Sequence, residues 1–441
     1  MKTKFALLFF FSVILVLTVS QSNASTRARA NRETDEATVN SSDVKERIRR
    51  VEDGLLLPVV IKGQPSEQMK LADRMQLTNT PGISVAVINN GRVEWAKGYG
   101  VLEAGSNNPV TTETLFQAGS ISKAVTAVAV MRLVQQGKLD LDEDVNKKLV
   151  SWKVPENEFT RNKKVTLRGL LSHSAGVNVP SFIGYLSGEP VPTLLQVLDG
   201  VKPANTPPIR VDSVPGRAFR YSGGGYTIVQ KILIDARKKP FPELMRELVF
   251  KPLKMKHSTF EQNLPKSLIT TAAAGHNSKG EKPPGRWRFL PEMAAAGMWS
   301  TPTDLALLAI ELQRAQAGKS NKFLTAQMVS QMLTPPLGNW GLGFSVEGEG
   351  RNRRFSHGGS TLEFNSFLVA YKDSGQGAVI MANSLRGERV IDELLRSISK
   401  EYGWSDYQPK EKTIAAVNPK IYENYLGQYD LDISSDYVVT I

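Results

Sequence analysis

Phe116-Gln117-Ala118-Gly119-Ser120-Ile121-Ser122-Lys123 opens an apolar stretch, Ala124 to Val134, that only Thr126 and Arg132 interrupt. A helix that is apolar nearly all round belongs inside a domain. Residues three apart share a helix face, so Ser120 and Lys123 bring a hydroxyl and an amine together at a buried helix start. Burial disfavours the charged form of an amine, which suits it to accept a proton. The free N–H groups and positive dipole end of such a helix can hold the negative oxygen formed when a hydroxyl attacks a carbonyl. Gly137 is the expected stop. The four-residue spacing is common on its own, because a serine can be only an N-cap and a lysine can snorkel to water. The rest of the chain has to decide between these readings.

Two further stretches carry the chemistry that such a pair needs. Phe219-Arg220-Tyr221-Ser222-Gly223-Gly224-Gly225-Tyr226 is a glycine-rich turn leading into a helix, where Tyr221 can shuttle a proton between Ser120, Lys123 and a leaving group. Ser356-His357-Gly358-Gly359-Ser360 precedes a β-prone run. Its glycines let a substrate lie against the strand, and the Ser360 N–H can serve beside that of Ser120 as an oxyanion donor. Judged singly, Tyr221 could be a core aromatic and His357 a structural histidine.

The order of these stretches resembles the family of class C β-lactamases, serine D-Ala-D-Ala carboxypeptidases and their esterase and D-aminopeptidase relatives. Tyr221-Ser222-Gly223 stands where that branch has Tyr-x-Asn, and His357-Gly358-Gly359 stands for Lys-Thr-Gly. The likeness covers roughly residues 60 to 400, supported by Val165 to Gly176, Ala295 to Thr301 and Gly341 to Phe344. It implies that Ser120 is acylated, that Lys123 and Tyr221 exchange protons with it, and that Ser120 and Ser360 supply the oxyanion N–H groups. His357, Gly358, Gly359, Ser222 and Gly223 are the implied substrate-binding positions. Which of Lys123 and Tyr221 is the base stays open, since such close groups titrate together.

Two departures bear on substrate. Gly223 lacks the side-chain amide that would bond an acylamide, and His357 is largely neutral at pH 7 where a lysine would be charged. Both favour esters or small amides, with a class C-like β-lactamase or D-Ala-D-Ala carboxypeptidase as the alternative. A penicillin-binding-like sensor with little turnover is a further alternative. No cofactor is expected. Ser172-His173-Ser174-Ala175-Gly176 falls one glycine short of GxSxG, and His357 comes last in the chain, which argues against an α/β-hydrolase. The four histidines are dispersed, with no HExxH, which argues against a metal hydrolase.

The fold class expected is α+β: an antiparallel sheet assembled from both ends of the chain, flanked by helices, with an all-helical region between. Gly82 to Ile88 and Val93 to Gly100 form a hairpin around Asn90-Gly91, while Phe364 to Tyr371 and Ala378 to Ala382 supply strands from the far end. Helices are expected at Leu167 to Leu171, Tyr226 to Ala236, Glu243 to Phe250, Thr303 to Ala315 and Glu388 to Tyr402. This places the hydrolase domain over residues 51–405. Residues 406–441 then read as a linker and the start of a small C-terminal β domain.

Residues 1–24 read as a signal peptide cut after Ala24, with Lys2 and Lys4 before the apolar run Phe5 to Val19. The competing reading is an uncleaved anchor. Residues 25–50 look like a flexible polar tail. The absence of cysteine excludes a lipoprotein anchor, disulfides and a thiol nucleophile. Net charge is +12, and loss of Lys2 and Lys4 leaves +10. The basic runs are mixed with acids and lack interleaved aromatics, so they read as solvated faces that favour an anionic envelope surface and not nucleic acid. An exported, periplasmic or secreted enzyme without a membrane span after cleavage is expected, acting on a small ester, amide or D-peptide.

Overall fold

The hairpin around Asn90-Gly91 forms as expected, with β1 at Gly82–Asn89 and β2 at Arg92–Gly100. The structure, a computed structural model, describes residues 42–65, 68–430 and 438–440. The signal segment 1–24 and residues 25–41 of the expected tail lie outside the described residues. Residues 42–52 correct the rest of that tail, because they form a helix, α1. Val44, Ile48 and Val51 recur at i, i+4 and i+7 on one helix face, and all three join a hydrophobic cluster.

The other strands of the main sheet come from the far end of the chain: β3 at Ser345–Glu347, β4 at Arg354–Ser360, β5 at Asn365–Tyr371 and β6 at Gly377–Ala382. The spatial order is β2-β1-β6-β5-β4-β3, antiparallel throughout. β1 is apolar at nearly every position because both faces of the sheet are covered. Ile83, Val85 and Val87 pack with Val390, Leu394 and Ile398 of one helix layer, whereas Ala86 and Ile88 face the larger core.

That larger core contains the helix opened by Ser120, α2 at Ile121–Gln135, and the helical region between the two halves of the sheet. There α3 spans Gly223–Arg237, three residues earlier than its apolar pattern suggests. Ser222 explains the early start, since its hydroxyl accepts the Gly225 N–H at 2.9 Å as an N-cap. Further on, α4 is the short Met293–Ala296, α5 is Pro302–Gln316 and α6 is Gly387–Glu401. The expected helix at Glu243 to Phe250 runs as Phe241–Met245 followed by a wider turn over Arg246–Phe250.

Past residue 406, Lys410–Lys412 pairs in parallel with Val59–Ile61, and Gln428–Asp430 pairs antiparallel with Val438–Thr440. Among the described residues no helix is long and apolar enough to cross a membrane.

Candidate active site

Ser120 occupies the N-cap position of α2 but its hydroxyl makes no capping bond. The Lys123 Nζ donates to it at 3.0 Å and to the Ala295 carbonyl at 2.8 Å. Lys123 is 2 % exposed, so it does not snorkel to water. Both bland readings of the four-residue spacing therefore fail.

The turn that presents Ser120 is held by contacts from distant parts of the chain. Ser122 Oγ donates to the Gly119 carbonyl at 2.6 Å and accepts the Met298 N–H at 3.0 Å. Ala118 donates its N–H to the Met298 carbonyl at 2.8 Å. Ser366 Oγ on β5 donates to the Ala118 carbonyl at 2.9 Å. Gly119 adopts φ +50, and a Cβ there would stand 2.7 Å from the Ser360 nitrogen, so only glycine allows β4 this close.

The direction of the Ser360 N–H follows from the ladder. The Thr361 N–H donates to Phe364 and the Lys372 N–H to Arg353, and both pairs fall on the β4–β5 register. Hydrogen-bonded pairs alternate along an antiparallel ladder. Odd-numbered residues of β4 therefore face β5, while Ser356, Gly358 and Ser360 face the other way. Ser356 is covered by Ser345 of β3, and β3 pairs no further along β4. The outward N–H groups of Gly358 and Ser360 are left at an open edge beside Ser120.

Tyr221 completes the group: its ring centre lies 4.9 Å from the Lys123 Nζ. The His173 ring packs on it with centroids 4.3 Å apart, and His173 Nδ1 accepts the Ser222 N–H at 3.0 Å. His357 is buried, and its Nδ1 donates to its neighbour's carbonyl, Gly358 O, at 2.6 Å. Trp340 spans the two sides, with its ring 5.7 Å from Tyr221, 5.3 Å from His173 and 5.2 Å from His357. Among the described residues, His173 Nε2, His357 Nε2 and Trp340 Nε1 are buried without hydrogen-bond partners.

The structure thus brings Ser120, Lys123, Tyr221, His357, Gly358, Gly359 and Ser360 together. Ser222 is corrected from substrate-binding residue to cap: its hydroxyl donates to the Asn178 carbonyl at 2.7 Å and accepts from Gly225, which uses its donor inside the loop. Gly223 is buried, and a Cβ there would meet the Phe182 ring at 2.9 Å and the Pro180 carbonyl oxygen at 3.1 Å. Trp340, His173 and the Ala295 carbonyl were not anticipated as parts of the site. His173 and Ala295 do lie within stretches that carried the family likeness.

Burial above all holds His357 down to about 3 and His173 well below the ordinary histidine value. An unfolded chain takes up protons at these residues below about pH 6.5 while the folded chain does not. Their share of stability is therefore intact above that pH and is lost as pH falls below it. His173 has φ +57, which asparagine tolerates, and the asparagine oxygen can replace Nδ1 as acceptor. His173→Asn is expected to flatten the loss of unfolding free energy between pH 6.5 and 4.5 by up to ~1.4 kcal/mol per pH unit relative to the parent. Urea titrations of both proteins across that range measure it, and parallel slopes would refute it.

The β-lactamase family model matches residues 69–399, well over half of the chain. The protein flp of Staphylococcus aureus strain MW2 is 26% identical over 326 residues, which cover 70% of this chain and 61% of that protein. The chain thus spans about three fifths of the length of that curated relative. The octameric penicillin-binding protein homologue from Pyrococcus abyssi superposes with TM-score 0.63 at 24% identity, covering 81% of this chain and 79% of that one. The D-amino acid amidase from Ochrobactrum anthropi SV3 superposes with TM-score 0.62 at 22% identity, covering 82% and 99%. At these identities the two structures speak for the fold, and the family match speaks for descent: the chain belongs to the β-lactamase family.

Proposed function

We propose that the protein is an exported hydrolase that forms an acyl-enzyme through Ser120 on an ester or small amide. The observation that carries this is the 3.0 Å contact between Lys123 Nζ and Ser120 Oγ at a helix start beside an open strand edge. Ser120 Oγ attacks the carbonyl carbon and its proton passes to the amine of Lys123, the only one of the two candidate bases with a hydrogen bond to that oxygen among the described residues. The oxyanion is held by the N–H groups of Ser120 and Ser360. The proton then returns by way of Tyr221 to the departing alcohol or amine, and water attacking the acyl-enzyme reverses the sequence.

The lean toward esters and small amides rests on Gly223. The Phe182 ring stands where a side chain at that position would begin, so this turn offers no amide to a substrate acylamide. Residues 1–24, with their basic start and apolar run, support export.

A fluorophosphonate probe should label the parent protein and leave Ser120→Ala unlabelled; equal labelling of the two would sink the proposal. A short-chain p-nitrophenyl ester, a chromogenic cephalosporin and a D-Ala-D-Ala peptide, compared on one preparation, test the substrate class. The ester should be turned over best, and preferential hydrolysis of the lactam would overturn the inference from Gly223.

A further inference from the structure

At the other end of α2 from Ser120 lies a polar cavity of about 440 Å³. Arg132 is in the last turn of that helix, twelve residues after Ser120 and therefore roughly 18 Å along its axis. The charged side chains lining the cavity are Arg132, Arg314, Lys319, Lys322 and Glu311.

Arg132 is the unusual member. Its guanidinium lies over the Phe323 ring at 4.6 Å, and its Nε and Nη1 are buried without hydrogen-bond partners among the described residues. Burial alone pulls its affinity for the proton below the ordinary arginine range, with no carboxylate opposing the shift. Arg132 is half-buried and faces no protein counter-ion among the described residues, so an anion in the cavity would offset the cost of partly desolvating its charge. Among the described residues, none of the four cations makes an ion pair, and the Glu311 carboxylate accepts from Ser320 Oγ at 2.5 Å.

A structural explanation exists for part of this charge. α2 and α5 both end at the cavity, and cations complement helix carboxyl ends. Each end is worth only about half a negative charge, so together with Glu311 they leave an excess of about two positive charges. A phosphate monoester, which carries close to two negative charges, or a more highly charged diphosphate accepts a guanidinium fork and matches this better than a single carboxylate does.

We propose that this cavity is a binding site for a phosphate-bearing anion, with Arg132 as the central ligand and Arg314, Lys319 and Lys322 at its rim. The site is separate from the Ser120 cleft and does not depend on how that cleft is read.

Calorimetric titration of the full chain with inorganic pyrophosphate, at constant ionic strength against chloride, should show one saturable site. Arg132→Gln should weaken it at least tenfold and the Lys319→Ala/Lys322→Ala double variant several-fold. Both lysines are exposed, so the double variant tests the site even if Arg132→Gln does not fold. Absence of saturable binding by the parent, or unchanged affinity in the folded variants, would overturn the proposal. Vesicles of phosphatidic acid, a phosphate monoester, in phosphatidylcholine separate the sources of the phosphate. Competition with pyrophosphate would identify a lipid headgroup as the ligand, and undiminished pyrophosphate binding would identify a free phosphate compound.

Discussion

Lys123→Met will slow acylation of Ser120 by about 10² to 10⁴, the usual contribution of a positioned proton acceptor, while the protein stays folded. Lys123 is 2 % exposed and its Nζ lies near the Tyr221 and Tyr226 rings, so methionine fills nearly the same volume without an amine. The Ala295 carbonyl loses its donor, a cost of about 1 to 3 kcal/mol that the removal of a buried amine partly offsets. The kinetic pattern is diagnostic. An amine that acts only as the bond to Ser120 breaks should lower kcat and kcat/KM together and leave KM nearly unchanged. Burst kinetics on an activated ester, with a thermal melt of the same samples, measure both halves. A rate within about tenfold of the parent in a folded variant would show that Lys123 is not the proton acceptor.

Gly359→Ala should do damage of comparable size by a different route. A Cβ on Gly359 would sit 2.0 Å from the Ala118 carbonyl oxygen and 2.4 Å from Ser366 Oγ. The serine hydroxyl can rotate away, but the carbonyl belongs to the turn that carries Ser120. Relief requires β4 to move off that turn, and the Ser360 N–H moves with it. Loss of one oxyanion donor is worth ~2.7 to 4 kcal/mol, a fall of about 10² to 10³ in kcat, and the melting temperature should drop as well. Gly358→Ala is the control, because its Cβ would meet only Phe367, at 3.8 Å. If both alanine variants retain the parent's kcat, the close seating of β4 on the nucleophile turn does not matter to catalysis.

The parts of this site that could be read from sequence are those whose chemistry sits in consecutive residues. Ser120 and Lys123 share one helical turn, Tyr221 borders a glycine turn, and Asn90-Gly91 fixes a hairpin locally. Trp340 and the Ala295 carbonyl follow no such rule, because they reach the site only through packing of segments far apart in the chain. A backbone carbonyl also leaves no trace in side-chain type. Ser222 is legible as a cap from its position alone, since a serine before a helical run is first of all a cap. Helix α1 was hidden by composition, since Val44, Ile48 and Val51 are apolar islands in a polar stretch and only their spacing marks the buried face.

The sheet's connectivity also governs when the chain can become active. β1 pairs on one side with its own hairpin partner but on the other with β6, where Ile83 lies opposite Ala382. The Ala118 carbonyl likewise waits for Ser366. Such distant pairings form late, after the entropy of closing very large loops has been overcome. A chain threaded across a membrane in the unfolded state would carry its serine with no oxyanion donor from β4 and no strand edge for a substrate to lie against. If the proposed export and activity hold, the site would thus be chemically silent in transit and active only on the side where the last strands close.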